Sequence, residues 1–122
     1  MALGAGLYAL AALSDIHMTL KGMDGALQLE GNAVMRALMA RVGIAPGIWL
    51  GKAAVGALCC LIAHYGVPEI KRGAPWIDKV PSTRWARAWM KSGDRSWIAY
   101  LPLYGTALFQ LMAALSWVAV LR

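Results

Sequence analysis

Apolar residues in this chain fall into three long runs, Ala2–Gly22, Pro46–Gly66 and Trp97–Leu121, separated by polar stretches. A helix of about 20 residues is roughly 30 Å long, the thickness of a bilayer's hydrocarbon core. The pattern predicts three membrane-spanning helices, at about 2–22, 46–66 and 97–121. Trp97 and Trp117 sit near the ends of the third, where interfacial aromatics belong, and Pro102 in its second turn predicts a local kink.

Two shorter helical patterns lie between the runs. Val34, Met35, Leu38, Met39 and Val42 follow helical spacing, with Asn32 placed as an N-cap and Gly43 as the residue that ends the helix. This stretch, about 32–42, is too short to span. It predicts an amphipathic helix that lies at the interface or dips partly in. From Val67 to Ser96 the chain is polar and divided by Pro68, Pro75 and Pro81. Within it, Ser82 caps a second short helix, about 82–92, that ends before Gly93. Arg84, Arg87 and Lys91 share one face of it, and Trp85 and Trp89 share a neighbouring one. Basic and tryptophan stripes side by side suit the lipid headgroup layer. With no internal repeat, low-complexity tract or linker, the expectation is a single all-α integral membrane domain over residues 1–122.

Composition strengthens this picture. Hydrophobic residues make up 60% of the 122, against about 45–50% in a soluble domain. Three buried helices would leave too little polar chain to cover them in water. The net charge of +6 lies in the loops, so anionic lipid headgroups are the expected partner, and no basic run resembles a nucleic-acid patch. Counting Lys and Arg, the Val67–Ser96 loop holds seven, and the other side holds Lys21, Arg36, Arg41 and Arg122. The asymmetry predicts a cytoplasmic N-terminus and loop, with the C-terminus outside. The start, Met1-Ala2-Leu3-Gly4, lacks the positive region of a signal peptide, so the first run reads as retained. The expected location is a bacterial inner membrane.

Charged residues inside the runs carry the candidate chemistry. Asp15 lies about seven residues before the end of the first run, and Lys52 about six after the start of the second. Consecutive spans are antiparallel, so both sit roughly 9–10 Å below the same surface. A charge at the centre of a membrane helix costs about 2.5–3.5 kcal/mol on insertion scales. An opposite charge at the same depth offsets that cost, and the pattern predicts that Asp15 and Lys52 pair, against the alternative that each reaches the interface alone. Tyr8, Ala12, Asp15 and Thr19 share a helix face, which marks the protein-facing side. Glu30, Asn32 and Arg36 follow on the same side of the membrane. In the third run Thr106 and Gln110 form a second polar face.

Asp15-x-x-x-Thr19, a glycine at 25, Leu29-Glu30-Gly31-Asn32 and the stretch Gly47 to Lys52 resemble a family of small bacterial and archaeal integral membrane proteins of unknown function. The resemblance covers about residues 13–60. Members have an Asp/Thr pair in the first span, a Glu-x-Asn-Pro element and a Lys early in the next span. Here Ala33 stands where the family often has Pro. The resemblance implies that Asp15, Thr19, Glu30, Asn32 and Lys52 act as one structural set.

No catalytic triad, metal-ligand spacing or phosphate-binding loop stands out, so an enzyme is not expected. Cys59 and Cys60 read as small packing residues, and Gly47-x-x-x-Gly51 is a weak dimerisation signal. His17 and His64 lie near opposite surfaces and cannot share a haem. Either alone could ligate a pigment, but no cofactor is expected. The leading functional expectation is an accessory subunit of a larger membrane complex, because a three-helix protein has little interior in which to satisfy polar faces. Its partners would be other membrane subunits and anionic lipids. The alternative is a small homo-oligomeric transporter or channel using Asp15 and Lys52.

Overall fold

A computed structural model describes residues 1–73, 84–91, 93 and 95–120. The described residues are almost wholly helical. Helix α1 (Ala2–Met23) is followed by a single 3₁₀ turn (Leu27–Leu29), and then by α2 (Ala33–Val42), α3 (Ile44–Lys71), α4 (Arg84–Lys91), a second 3₁₀ segment (Ser96–Tyr100) and α5 (Leu101–Val120). Three helical stretches, Ala2–Met23, Ile44–Lys71 and Ser96–Ala119, are long and apolar enough to cross a membrane.

Helix α1 ends because Asp24 and Gly25 adopt left-handed backbone conformations, which stop the hydrogen-bond ladder. The α2–α3 junction turns at Gly43, whose φ of 95° suits a residue without a Cβ. Helix α3 runs past the expected end near residue 66. Pro68 was expected to break the chain there. It lies in the closing turns instead, where its missing N–H removes one hydrogen bond, and the Arg72 N–H still closes the helix on the Pro68 carbonyl at 3.0 Å. The third long helix also departs from expectation. Residues 96–100 coil as a 3₁₀ segment, and the α-helix starts at Leu101. Pro102 therefore falls in the first turn, where no N–H is needed. Of the expected 82–92 helix, residues 84–91 form α4, and residues 82, 83 and 92 lie outside the described residues.

Packing runs along lines of small residues. Helices α1 and α5 are parallel neighbours: Gly4 faces Leu103 and Tyr104 at one end, and Gly22 faces Trp117 at the other. Helix α3 runs antiparallel to α1, with Gly56 against the Tyr8 ring. Buried Tyr8, Ala11, Ala12, Cys59, Leu103 and Ala107 form one core cluster, and Ile16, Met23, Met39 and Ile48 form another. Cys59 is thus a packing residue. The bundle's outside is apolar, with Leu3 73%, Phe109 79% and Leu115 67% exposed.

Helix α2 does not lie across the end of the bundle. A Cβ added to Gly47 would come within 2.8 Å of the Met39 Cα, and one added to Gly51 within 2.5 Å of the Met35 sulfur. As α3 advances four residues, α2 retreats four, so the two form an antiparallel hairpin. The N-terminal end of α2 therefore returns to about the level of Lys52. Helix α2 thus lies along α3, antiparallel to it. The cause is the small-residue pair Gly47 and Gly51, which lets α2 sit directly on the α3 backbone. These glycines are used within the chain.

Candidate functional site

Asp15 lies eight residues from the α1 end at Met23, and Lys52 eight from the α3 start at Ile44. Both are therefore about 12 Å in from the same end of the bundle. The Lys52 ammonium donates to Asp15 Oδ2. The Thr19 hydroxyl, one turn along α1, donates to Asp15 Oδ1 at 3.3 Å. Both carboxylate oxygens are thus engaged, which suits a residue only 4% exposed. The Lys52 side chain is 25% exposed, and its remaining ammonium hydrogens have no partner among the described residues. Tyr8 braces the arrangement from below, its hydroxyl donating to the Lys52 carbonyl at 2.6 Å.

Glu30 and Asn32 form a second, local network. Asn32 Oδ1 accepts the Val34 and Met35 N–H groups at 3.0 and 3.3 Å, so it is the N-cap of α2. Glu30 Oε1 accepts the Asn32 N–H at 2.7 Å, and Arg36 donates to the Glu30 carbonyl at 2.8 Å. These bonds tie the chain entering α2 to the first turn of that helix.

Asp15, Thr19, Glu30, Asn32 and Lys52 all line one cavity of about 500 Å³. Its remaining walls were not read as site residues from the sequence. Met35, Met39, Ile48, Gly51 and Val55 form the α2–α3 side, and Phe109, Ala113 and Trp117 form the α5 side. Gly51 had a legible signal in its four-residue spacing from Gly47. Phe109, the single phenylalanine of the chain, had none. It reaches the site through the parallel pairing of α1 with α5. The cavity thus combines an ion pair, the Glu30 carboxylate, neutral hydrogen-bonding groups and apolar or aromatic walls.

Other candidate residues lie apart from it. Thr106 bonds back to the Pro102 carbonyl at 2.6 Å and stands 3.7 Å from the Cys59 sulfur. Gln110 is buried beside the Tyr8 hydroxyl, and its Oε1 has no partner among the described residues. On α4, Trp85 and Trp89 stack at 6.5 Å, Trp97 meets Trp89 edge-on, and the Arg95 guanidinium lies 4.9 Å over the Trp89 ring. Arg84 is exposed beside them, while the side chains of Arg87 and Lys91 lie outside the described ones. His17 and His64 are both exposed and near opposite ends of the bundle. Among protein-family models, curated proteins and solved structures, none matches this chain.

Proposed function

We propose that the chain is inserted in a bacterial inner membrane as three spans, and that it works through the cavity at Asp15 and Lys52 as a small homo-oligomeric transporter or channel. One observation carries this reading: an ion pair about 12 Å from the helix ends opens onto a cavity shared with Thr19, Glu30 and Asn32. Ionisable groups at such depth are expensive in a membrane, and they mark routes for solutes or ions. The loop basic residues orient the protein with its N-terminus and α4 on the cytoplasmic side, where the Arg84, Trp85 and Trp89 surface meets anionic headgroups.

The accessory-subunit reading began from polar faces that three helices could not satisfy alone. Asp15, Thr19, Lys52 and Thr106 find partners inside the chain, which weakens that motive, and buried Gln110 Oε1, without a partner among the described residues, is what remains of it. What favours a subunit is the α5 surface, where Leu108, Phe109, Met112 and Leu115 stand exposed in succession and could pack on a larger partner.

Native mass spectrometry of protein extracted in mild detergent, followed by solute-gradient currents in proteoliposomes, separates the two. The transporter reading expects a homo-oligomer whose currents Asp15→Asn abolishes while assembly persists. Unlike chains bound at fixed stoichiometry, with no currents for any ion or small solute tested, would replace it with the subunit reading.

A further inference from the structure

The cavity's position fixes which phase it faces. Helices α1 and α5 are parallel, with Trp117 level with Gly22. Phe109, eight residues before Trp117, is therefore at nearly the depth of Asp15, seven before Gly22. On the opposite wall Val55 lies one turn deeper than Lys52. Phe109 is 79% exposed and Val55 42% exposed, yet both line the cavity. The opening between α3 and α5 thus faces sideways, out of the bundle, at the depth where three spans place hydrocarbon.

The free hydrogen-bond donors at the floor come from two side chains, Lys52 and Asn32. Each Asp15 oxygen already accepts one hydrogen bond, from Lys52 and Thr19. Asn32 Oδ1 is taken by the α2 amides. Lys52 keeps two ammonium hydrogens and Asn32 keeps its amide N–H₂, since neither makes another bond among the described residues. The Asp15 charge balances that of Lys52, whereas Arg36 bonds only the backbone carbonyl of Glu30, and the Glu30 carboxylate has no ion-pair partner among the described residues. Lys52 is the one cation among the described residues lining the cavity and is already paired with Asp15, so an anionic occupant meets no unpaired counter-charge there.

From these two observations we propose that the site binds a membrane amphiphile, entering sideways between α3 and α5. It carries an apolar tail and a small polar head bearing hydrogen-bond acceptors. The head accepts from Lys52 and Asn32 while Phe109 and Trp117 flank it, and the tail leaves past Phe109 and Val55. A carbonyl-bearing ring on an isoprenoid-type tail and the ester region of a phospholipid share this chemistry. The depth of Lys52 favours the ring. The proposal rests on the three-span insertion proposed above, and it names a ligand of the same cavity, distinct from the ion or solute whose current tests the transport reading.

The test is equilibrium binding to the full chain, delipidated in mild detergent and titrated in native mass spectrometry. Separate titrations use a short-tailed benzoquinone and dioleoylphosphatidylglycerol, with a tail-free benzoquinone as the soluble control. One saturable equivalent of either amphiphile, without retention of the control, is expected. Lys52→Met should weaken that binding at least about ten-fold, the effect of removing a charged hydrogen bond. Because Lys52→Met also breaks the ion pair, Ala113→Phe serves as a second variant. It fills the cavity without touching a charge and should abolish the adduct while leaving helix content unchanged. No saturable adduct, or one that survives Ala113→Phe in folded protein, would overturn the proposal. Insertion is checked separately by alkaline extraction of the native membrane, and binding needs no flux, so failure of either part of the functional reading shows up on its own.

Discussion

The two halves of the bundle interior treat polar atoms differently. Toward the start of α1, Tyr8, Ala11, Ala12, Cys59, Leu103 and Ala107 close tightly. The polar groups there are neutral hydroxyl, thiol and amide groups. Toward the end of α1, Ile16, Met23, Met39 and Ile48 make a second cluster. There α2 is inserted beside α3, the packing is by flexible methionines, and a cavity of about 500 Å³ remains with two full charges at its floor. The contrast follows from residue size. Alanines and Gly56 let three long helices meet, whereas a fourth, short helix holds them apart. Charge sits where the inserted helix leaves room for it, and neutral polar groups sit where it does not.

Perturbing the two halves should separate them. The largest effect is expected in the open half. Asp15→Ala leaves the Lys52 ammonium partly buried and unpaired, and should destabilise the protein by about 3 kcal/mol, the low end for a broken buried pair because Lys52 is a quarter exposed. Unfolding by SDS in mixed micelles measures this. In the closed half, Leu103 is fully buried, and Leu103→Ala should remove about 2–3 kcal/mol in the same assay. If Leu103→Ala were harmless, the closed half would not be tightly packed.

A smaller effect sharpens the role of α2. Gly47→Ala places a Cβ 2.8 Å from the Met39 Cα. Backbone must shift to admit it, at about 1–2 kcal/mol. Gly105→Ala meets nothing within 4 Å and should be neutral or slightly stabilising. Equal effects at the two glycines would contradict the α2–α3 hairpin. The smallest loss, about 1 kcal/mol, is expected for Asn32→Ala, which removes the N-cap of α2. Hydrogen exchange should show it as faster exchange at the Val34 and Met35 amides, with α1 and α5 unaffected.

The contrast between halves also marks what sequence can convey. Three long helices were legible because runs of about 20 apolar residues leave few alternatives. Depth left two outcomes for Asp15 and Lys52, pairing or separate reach to the interface, because equal depth does not say which way a side chain faces, and the structure joins the two residues. The stance of α2 was not legible. Amphipathic spacing shows which face of a helix is apolar, but not whether the axis lies along or across its neighbours. Gly47 and Gly51 held that information, and their spacing reads equally well as an intermolecular contact. The helix ends at Pro68 and Pro102 shifted for a related reason. A proline's effect depends on where the turn begins, and packing such as Ala99 against Gly66 decides that. The α5 wall of the cavity, Phe109, Ala113 and Trp117, depends on how α1 pairs with α5, which no local pattern encodes.

The central claim is that Asp15 and Lys52 form one coupled unit inside the bundle. A double-mutant cycle of Asp15→Asn, Lys52→Met and the double variant, followed by SDS-driven unfolding, tests it most directly. Coupling predicts that the double variant is better tolerated than the sum of the singles, by about 1–3 kcal/mol. Additive losses would mean that the two charges act independently and that the pair does not organise the site.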